Sequence, residues 1–324
     1  MFKTKTEYLD YMEKKFIECF KEKGYIEEQP VNITSQLDPT VDFIGSKISP
    51  LKKYVLSDDI GYPGRFLIQN CMKLKSLDHL KDLTPQIFGS YYKCMGVLAE
   101  PNLEKVVHDT FDYLTNPEYL NIPFEDIHIR ISSKDEDLVK SIENVDSRIE
   151  REFDTVSEKH YRHKYGMDEQ GIFGRDFNIA IKNSATGKYF NCGTFVVMEN
   201  AERIIAIDMG LGNCSLSMCK FGSNSTVESS RMGDIIVIDT VEKMKLADSI
   251  IAISTLLKED ILNHPSKHFR KKFRQYNQAL HLWKNYFNIS DEEIISYINK
   301  YLFMEYKVNN CISEESFCKV LKHN

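Results

Sequence analysis

The segment at residues 189–212, YFNCGTFVVMENAERIIAIDMGLG, decides the fold of this chain. Two apolar runs flank a short polar turn and predict a β-hairpin, and the second run ends in Asp208, Gly210 and Gly212. Because glycine lacks a Cβ, the backbone there can approach a flat base or a phosphate closely. Two interpretations are open: the floor of a nucleotide pocket with one carboxylate at its mouth, or a plain hairpin with a bulge or tight turn.

The composition is that of an ordinary globular protein. The chain has 324 residues, of which 42% are hydrophobic and 28% charged, and this length suggests about two domains. Its net charge of -6 argues against a general nucleic-acid coat, so any nucleic-acid contact needs a local basic patch. No apolar run is long enough for a membrane helix, and no signal-peptide core follows the start. Eight cysteines without a Cys-x-x-Cys pair favour free thiols, and we expect a cytoplasmic protein that does not contact a membrane.

Hydrophobic periodicity predicts a mixed architecture of the α+β class, namely an antiparallel sheet flanked by helices and followed by a helical C-terminal region. Besides the hairpin, strands are predicted at 66–72, 88–98, 127–132 and 177–182. Helices are predicted at 5–24, 102–116, 135–163, 240–261, 266–287 and 290–302, the last opened by the capping-box pattern that starts at Ser290. We place the boundary between a sheet domain, 1–235, and a helical domain, 236–324.

A basic run lies on the helix that follows Pro265. Helical spacing puts Lys267, Arg270 or Lys271, and Arg274 on one face, where they could contact phosphates. The alternative is a solvated helix face. His264 and His268 have the spacing of metal ligands on a helix, but no third ligand lies nearby, so we predict no protein-bound metal.

Several segments, taken in order, resemble the aminoacylation core of alanyl-tRNA synthetases, which are class II enzymes. The resemblance spans roughly residues 5–282. The segments that carry it are Asp38-Pro39-Thr40, Gln69-Asn-Cys-Met-Lys73, Tyr91-Tyr-Lys-Cys-Met-Gly96, Phe111-Asp-Tyr-Leu-Thr115, Met167-Asp-Glu-Gln-Gly-Ile-Phe-Gly174, the opening hairpin with its Gly-x-Gly as motif 3, and Ala247-Asp248 with the basic helix after Pro265.

The resemblance implies a class II sheet that binds ATP with Mg²⁺ and an amino acid. Asp208 matches the aspartate that holds the substrate α-ammonium, a charge-assisted hydrogen bond. Alternatively, Asp208 caps backbone amides in a turn. Tyr165 and Thr194 replace a tryptophan and an asparagine of the family's amino-acid pocket, so the substrate could differ from alanine. Gly210 and Gly212 would lie against ATP.

The phosphate-binding positions depart from the family pattern. Lys73 stands at the motif 2 arginine position, where it keeps the positive charge but not the bidentate fork. Ser215 stands at the motif 3 arginine position, and Lys93 replaces an acidic residue. We expect Lys73 to act in catalysis, and Lys73 with Lys93 to bind ATP, although these lysines could equally be surface charges.

Two functions follow from the resemblance. The first is an alanyl-tRNA synthetase-like ligase that activates an amino acid as its adenylate and transfers it to a tRNA acceptor stem, a carrier protein or another acceptor. The second is a degenerate pseudo-synthetase that binds tRNA or a protein. We further expect a truncated paralogue of the family and a homodimer. The helix after Pro265 is similar to the family's tRNA-recognition helices.

Overall fold

The computed structural model describes residues 2–163, 165–309, 317 and 320. Its helices are α1 Lys5–Glu22, α2 Ile48–Ser57, α3 Leu103–Thr115, α4 Glu136–Ser141, α5 Asn213–Phe221, α6 Val241–Lys258, α7 Lys267–Tyr286 and α8 Asp291–Tyr306. Its strands are β1 Ile26–Glu27, β2 Gly64–Met72, β3 Tyr91–Ala99, β4 Ile127–Ile131, β5 Glu150–Phe153, β6 Arg162–His163, β7 Phe173–Lys182, β8 Tyr189–Glu199 and β9 Ile204–Gly212.

The strands of the described ranges form one sheet in the order β1-β2-β3-β9-β8-β7-β4-β5, with β6 beside β7. The central pairs β2–β3, β3–β9, β9–β8 and β8–β7 are all antiparallel, and only the outer pairs β1–β2 and β4–β5 are parallel. The hairpin of residues 189–212 thus supplies two neighbouring central strands. The predicted fold class, an antiparallel sheet flanked by helices with a helical C-terminal region, is confirmed.

The two faces of the sheet are covered differently. One face packs against α1, α3 and α5 in a core that includes Phe16, Tyr113 and Phe195. On the other face α2 covers only part of the sheet, in a smaller core around Leu51 and Val196. The uncovered part of that second face is open to a ligand.

The C-terminal helices α6, α7 and α8 pack on one another around residues such as Ile250 and Leu280. Their core also takes in Phe43 and Met72 from the first half of the chain. Ser290 accepts a hydrogen bond from the amide of Glu293, as a capping box requires. The domain boundary at 235/236 stays a prediction.

The charged segment 135–163 differs from its prediction as one exposed helix. It holds the short α4, then β5 beside β4, a short 3-10 helix at Glu158–Tyr161, and β6 beside β7. Arg162 donates two hydrogen bonds to Asp135, so charged side chains of this segment pair with each other across short elements. Charge density therefore marked the segment as exposed but did not identify its secondary structure.

Candidate functional site

A cavity of about 880 Å³ lies on the open face of the sheet, within the range of ligand-binding pockets. It extends over β3, β9, β8 and β7 and is closed at one side by the start of α2 and the connection after β2. The predicted site residues that line it are Lys73, Tyr165, Thr194, Asp208, Gly210 and Gly212.

Strand register explains why these residues meet. Asp176 on β7 pairs with Val196 on β8, which pairs with Asp208 on β9. In the next row Asn178 pairs with Thr194, which pairs with Gly210. Directly paired residues point to the same face, so the two rows form one polar floor. Within this floor Thr194 donates a hydrogen bond of 2.9 Å to Asn178.

Asp208 forms a buried ion pair with Lys47, the residue that precedes α2. The Lys47 ammonium donates to a carboxylate oxygen of Asp208 and to the backbone carbonyl of Val97. Lys47 is 2% exposed and Asp208 6% exposed. The carboxylate predicted to hold a substrate ammonium thus already holds an ammonium of the chain itself.

Gly96 makes room for the Lys47 side chain. A Cβ at this position would lie 2.5 to 2.7 Å from three carbons of the Lys47 stem, which is closer than packed atoms allow. Gly210 is less crowded, since its Cβ would meet the Cys94 sulfur at 3.4 Å and Lys47 at 3.8 Å. The thiol of Cys71 and the Lys47 ammonium lower the pKa of Cys94 to about 7.

A second carboxylate, Asp176, lies on the same floor. It is 1% exposed, and one of its oxygens is hydrogen bonded to Nε2 of His163. The hydrogen bond to Asp176 raises the pKa of His163, although burial opposes this rise. The other oxygen, Oδ1, is buried without a hydrogen-bond partner among the described residues. Tyr165 lies beside this pair, its ring centroid 5.5 Å from that of His163.

Lys73 and Lys75 supply positive charge at the rim of the cavity. The Lys73 ammonium lies 5.1 Å from the centroid of the Tyr92 ring, a cation–π distance, and the Tyr92 hydroxyl is fixed by a 2.9 Å bond to the carbonyl of Gly45. Ser215 also lines the cavity, at the start of α5.

Lys93 does not line this cavity. Its neighbours Tyr92 and Cys94 do, and side chains alternate along a strand, so Lys93 points to the opposite face. There it pairs with Glu13 at 2.8 Å and with Glu305 at 2.9 Å. The structure thus does not bring Lys93 into the cavity with the other predicted site residues, and its contact with ATP stays a prediction; Lys93 joins the sheet to α1 and α8.

The basic residues of α7 lie away from the cavity. Lys267, Lys271 and Arg274 are exposed, while Arg270 is half-buried and donates to the carbonyl of His264. Their role in tRNA binding stays a prediction.

Sequence reasoning missed Lys47, His163 and Asp176. No local pattern marks Lys47, because its partner lies 161 positions further along the chain. For Asp176 a signal exists: Asp176 and Asn178 are polar at alternate positions, next to the apolar residues Phe177 and Ile179. Period-two polarity of this kind indicates a polar patch on one face of the sheet.

The cavity has the size and the charged groups that a phosphorylated ligand could use. Its volume, its glycine floor and the two lysines at its rim, Lys73 and Lys75, suit a phosphorylated ligand. Among the described residues, no group of three or more His, Cys, Asp or Glu side chains could hold a metal ion. Mg²⁺ commonly reaches such sites with the phosphates of its nucleotide and keeps several waters. In the part of the chain that the structure describes, no helix is both long and apolar enough to cross a membrane.

Comparison with curated proteins confirms the resemblance to alanyl-tRNA synthetases. The chain is 29% identical over 146 residues to the alanine–tRNA ligase of Borreliella afzelii strain PKo, which covers 42% of this chain and 23% of that protein. It is 24% identical over 139 residues to the alanine–tRNA ligase of Treponema denticola, with the same 42% and 23% coverage. The match thus spans about a quarter of the length of these relatives. No family model matches the chain.

Two tRNA synthetases are among the solved structures that align with this chain. The apo histidyl-tRNA synthetase of S. aureus aligns with a TM-score of 0.41 at 11% identity, over 72% of this chain and 68% of that chain. A putative aspartyl-tRNA synthetase from Leishmania major aligns with a TM-score of 0.43 at 12% identity, over 70% and 64%.

Proposed function

We propose that this chain is an aminoacyl-tRNA synthetase-like ligase that uses ATP to activate an amino acid at its carboxyl group. The observation that supports this function best is the polar floor itself, on which Asn178, Thr194 and Gly210 lie in one row below rim lysines. This arrangement offers a flat surface for a base or sugar, and cations for phosphates, within one cavity.

In this proposal ATP supplies an activated α-phosphate: the substrate carboxylate forms a bond to it, and pyrophosphate leaves with Mg²⁺. Lys73 would place its positive charge against the phosphate oxygens on which negative charge develops, and the face of Tyr92 orients it. Gly210 and Gly212 keep side chains out of the floor so that the nucleotide can approach the backbone. Transfer to tRNA or to another acceptor would follow.

Amino-acid-dependent exchange of labelled pyrophosphate into ATP tests this function, with each of the standard amino acids assayed separately. We expect exchange with at least one amino acid. Lys73→Met should lower the rate by about 10²-fold, as expected when one stabilising charge is lost. Lys81→Met, an exposed lysine outside the cavity lining, serves as the matched control. Absence of exchange with every amino acid would contradict the proposal.

One observation favours a second candidate, a degenerate synthetase that binds tRNA or a protein without forming an adenylate. Lys47 neutralises Asp208, and Ser215 leaves the second arginine position uncharged. The exposed face of α7 would then provide the binding surface, with Lys267, Lys271 and Arg274 on the phosphates.

Gel-shift titration with tRNA at increasing salt tests the second candidate. A triple variant with alanine at Lys267, Lys271 and Arg274 should bind tRNA more weakly. Its affinity should also depend less steeply on salt concentration, since each phosphate contact contributes to that slope. Replacement of exposed Lys300 on α8 serves as the control. Equal affinity of the α7 variant and the control would exclude α7 as the tRNA surface.

A further inference from the structure

The cavity contains two buried carboxylates, and they are not equivalent. Asp208 has its charge neutralised by the Lys47 ammonium, which also donates to Val97. The Lys47 stem occupies the space that Gly96 leaves, so it is held along its whole length. A ligand ammonium that bonds to this Asp208 oxygen, Oδ1, would have to displace a buried side chain of the protein.

Asp176 has a carboxylate oxygen that accepts no hydrogen bond from the described residues. The two residues lie in one row on either side of Val196, so their backbones are about 10 Å apart at the usual strand spacing. Asp176 lines the cavity, is 1% exposed, and has a buried Oδ1 without a partner among the described residues. Leaving a buried carboxylate oxygen without a donor is unfavourable. The unpaired oxygen of Asp176 therefore suggests that a ligand supplies the donor.

The surroundings of Asp176 define what that donor can be. His163 is hydrogen bonded to Oδ2, which leaves Oδ1 as the oxygen without a partner among the described residues. Asn178 lies two positions along the same strand, on the same face, and Tyr165 forms an apolar wall next to His163. A primary amine fits this arrangement, because it can donate to Asp176 and to the lone pair of the Asn178 amide oxygen that the hydrogen bond from Thr194 leaves open.

We propose that Asp176 binds the amino group of the ligand, and that the substrate is a carboxylic acid whose amine lies at the β7 side of the cavity rather than at β9. This inference rests on the proposed function for the identity of the substrate as an amino acid. It differs from the assignment of the ammonium to Asp208, and it makes Asp176 the residue that determines specificity for an amine.

Saturation-transfer NMR on the full chain tests the proposal, with the twenty amino acids and their N-acetyl derivatives as probes in the presence of ATP and Mg²⁺. We expect at least one free amino acid to bind and its N-acetyl derivative to bind at least 10-fold more weakly. Asp176→Asn, which keeps the shape of the side chain, should lower the affinity for the free amino acid at least 10-fold. Asp59→Asn, an exposed aspartate outside the cavity lining, serves as the control.

A second variant keeps the test meaningful if Asp176→Asn does not fold. His163→Gln retains the Asp176 carboxylate but removes the imidazole bonded to it, so the affinity for the free amino acid should fall, and an unchanged affinity would count against the role of Asp176. Loss of binding in Asp208→Asn together with unchanged binding in Asp176→Asn would overturn the proposal. So would equal binding of N-acetyl derivatives, or no binding of any amine in the panel.

The pyrophosphate exchange assay separates this inference from the proposed function. Exchange that depends on Asp208 but not on Asp176 would leave the function standing and refute the inference. Amine binding lost in Asp176→Asn, without any exchange, would support the inference and refute the function.

Discussion

Glu305 on α8 offers a quantitative test of how the helical region is held to the sheet. Its side chain is 4% exposed and lies 2.9 Å from Lys93 and 3.3 Å from Arg231. The Tyr91 hydroxyl donates a further hydrogen bond of 2.9 Å to it. Burial raises the pKa of Glu305, but Lys93 and Arg231 outweigh this effect and lower it from 4.5 to about 2.

The pKa shift sets the size of the expected effect. A shift of this size corresponds to about 3 kcal/mol of folding free energy, at about 1.4 kcal/mol for each tenfold change in proton affinity. Because the folded pKa is the lower one, this contribution is fully present above the unfolded pKa of about 4.3. It is lost as the pH falls from there towards about 2.

We propose to measure the free energy of unfolding of Glu305→Gln and of wild type by urea denaturation at pH 7 and at several lower pH values. Glu143→Gln, at an exposed position, serves as the control. We expect Glu305→Gln to lower the free energy of unfolding by about 3 kcal/mol at pH 7, in the range for a broken buried ion pair. The difference from wild type should narrow below about pH 4. A loss below about 1 kcal/mol at pH 7, or a difference that does not change with pH, would refute the reasoning.

Three further changes test other parts of the structure. Burial raises the pKa of Asp248 to about 6. Between pH 4 and pH 7 the free energy of unfolding of wild type should therefore fall by on the order of 2 to 3 kcal/mol relative to Asp248→Asn. The same pH dependence of the free energy of unfolding in both proteins would contradict this. Gly96→Ala would push a Cβ into the Lys47 stem and should lower the free energy of unfolding by about 1 to 3 kcal/mol, and an unchanged thermal midpoint would show that Lys47 is not held there. Ser290→Ala removes the α8 cap on the amide of Glu293 and should cost about 1 kcal/mol in urea denaturation, whereas no change would mean that the cap is not formed.

Most of the fold could be predicted because apolar periodicity follows burial. The hairpin, α1, α3 and α6 lie within a few residues of their predicted bounds. One face of α1 lies in a core, whereas α6 is buried on all sides from Met244 to Leu256. The segment 135–163 could not be predicted in the same way. Its elements are short and stabilised by charged pairs such as Arg162 with Asp135, and such pairs leave no apolar period in the sequence.

The site could be predicted in its strand residues but not in its electrostatics. Asp208, Thr194 and Gly210 follow from one hairpin, whose register is a local property. The ion pair of Lys47 with Asp208 depends on a contact between distant parts of the chain. The position of Lys93 outside the cavity could have been predicted from the sequence alone, because side chains alternate along a strand and Lys93 therefore lies on the face opposite to its neighbours.

Isothermal titration of the full chain with ATP and Mg²⁺ tests most directly whether the open face of the sheet is a nucleotide site. Wild type and Lys81→Met are predicted to bind ATP with equal affinity, while Lys73→Met, which removes the rim charge beside Tyr92, is predicted to bind at least about 10-fold more weakly, or about 1.4 kcal/mol. No detectable binding by wild type, or equal affinity of Lys73→Met and Lys81→Met, would contradict the account.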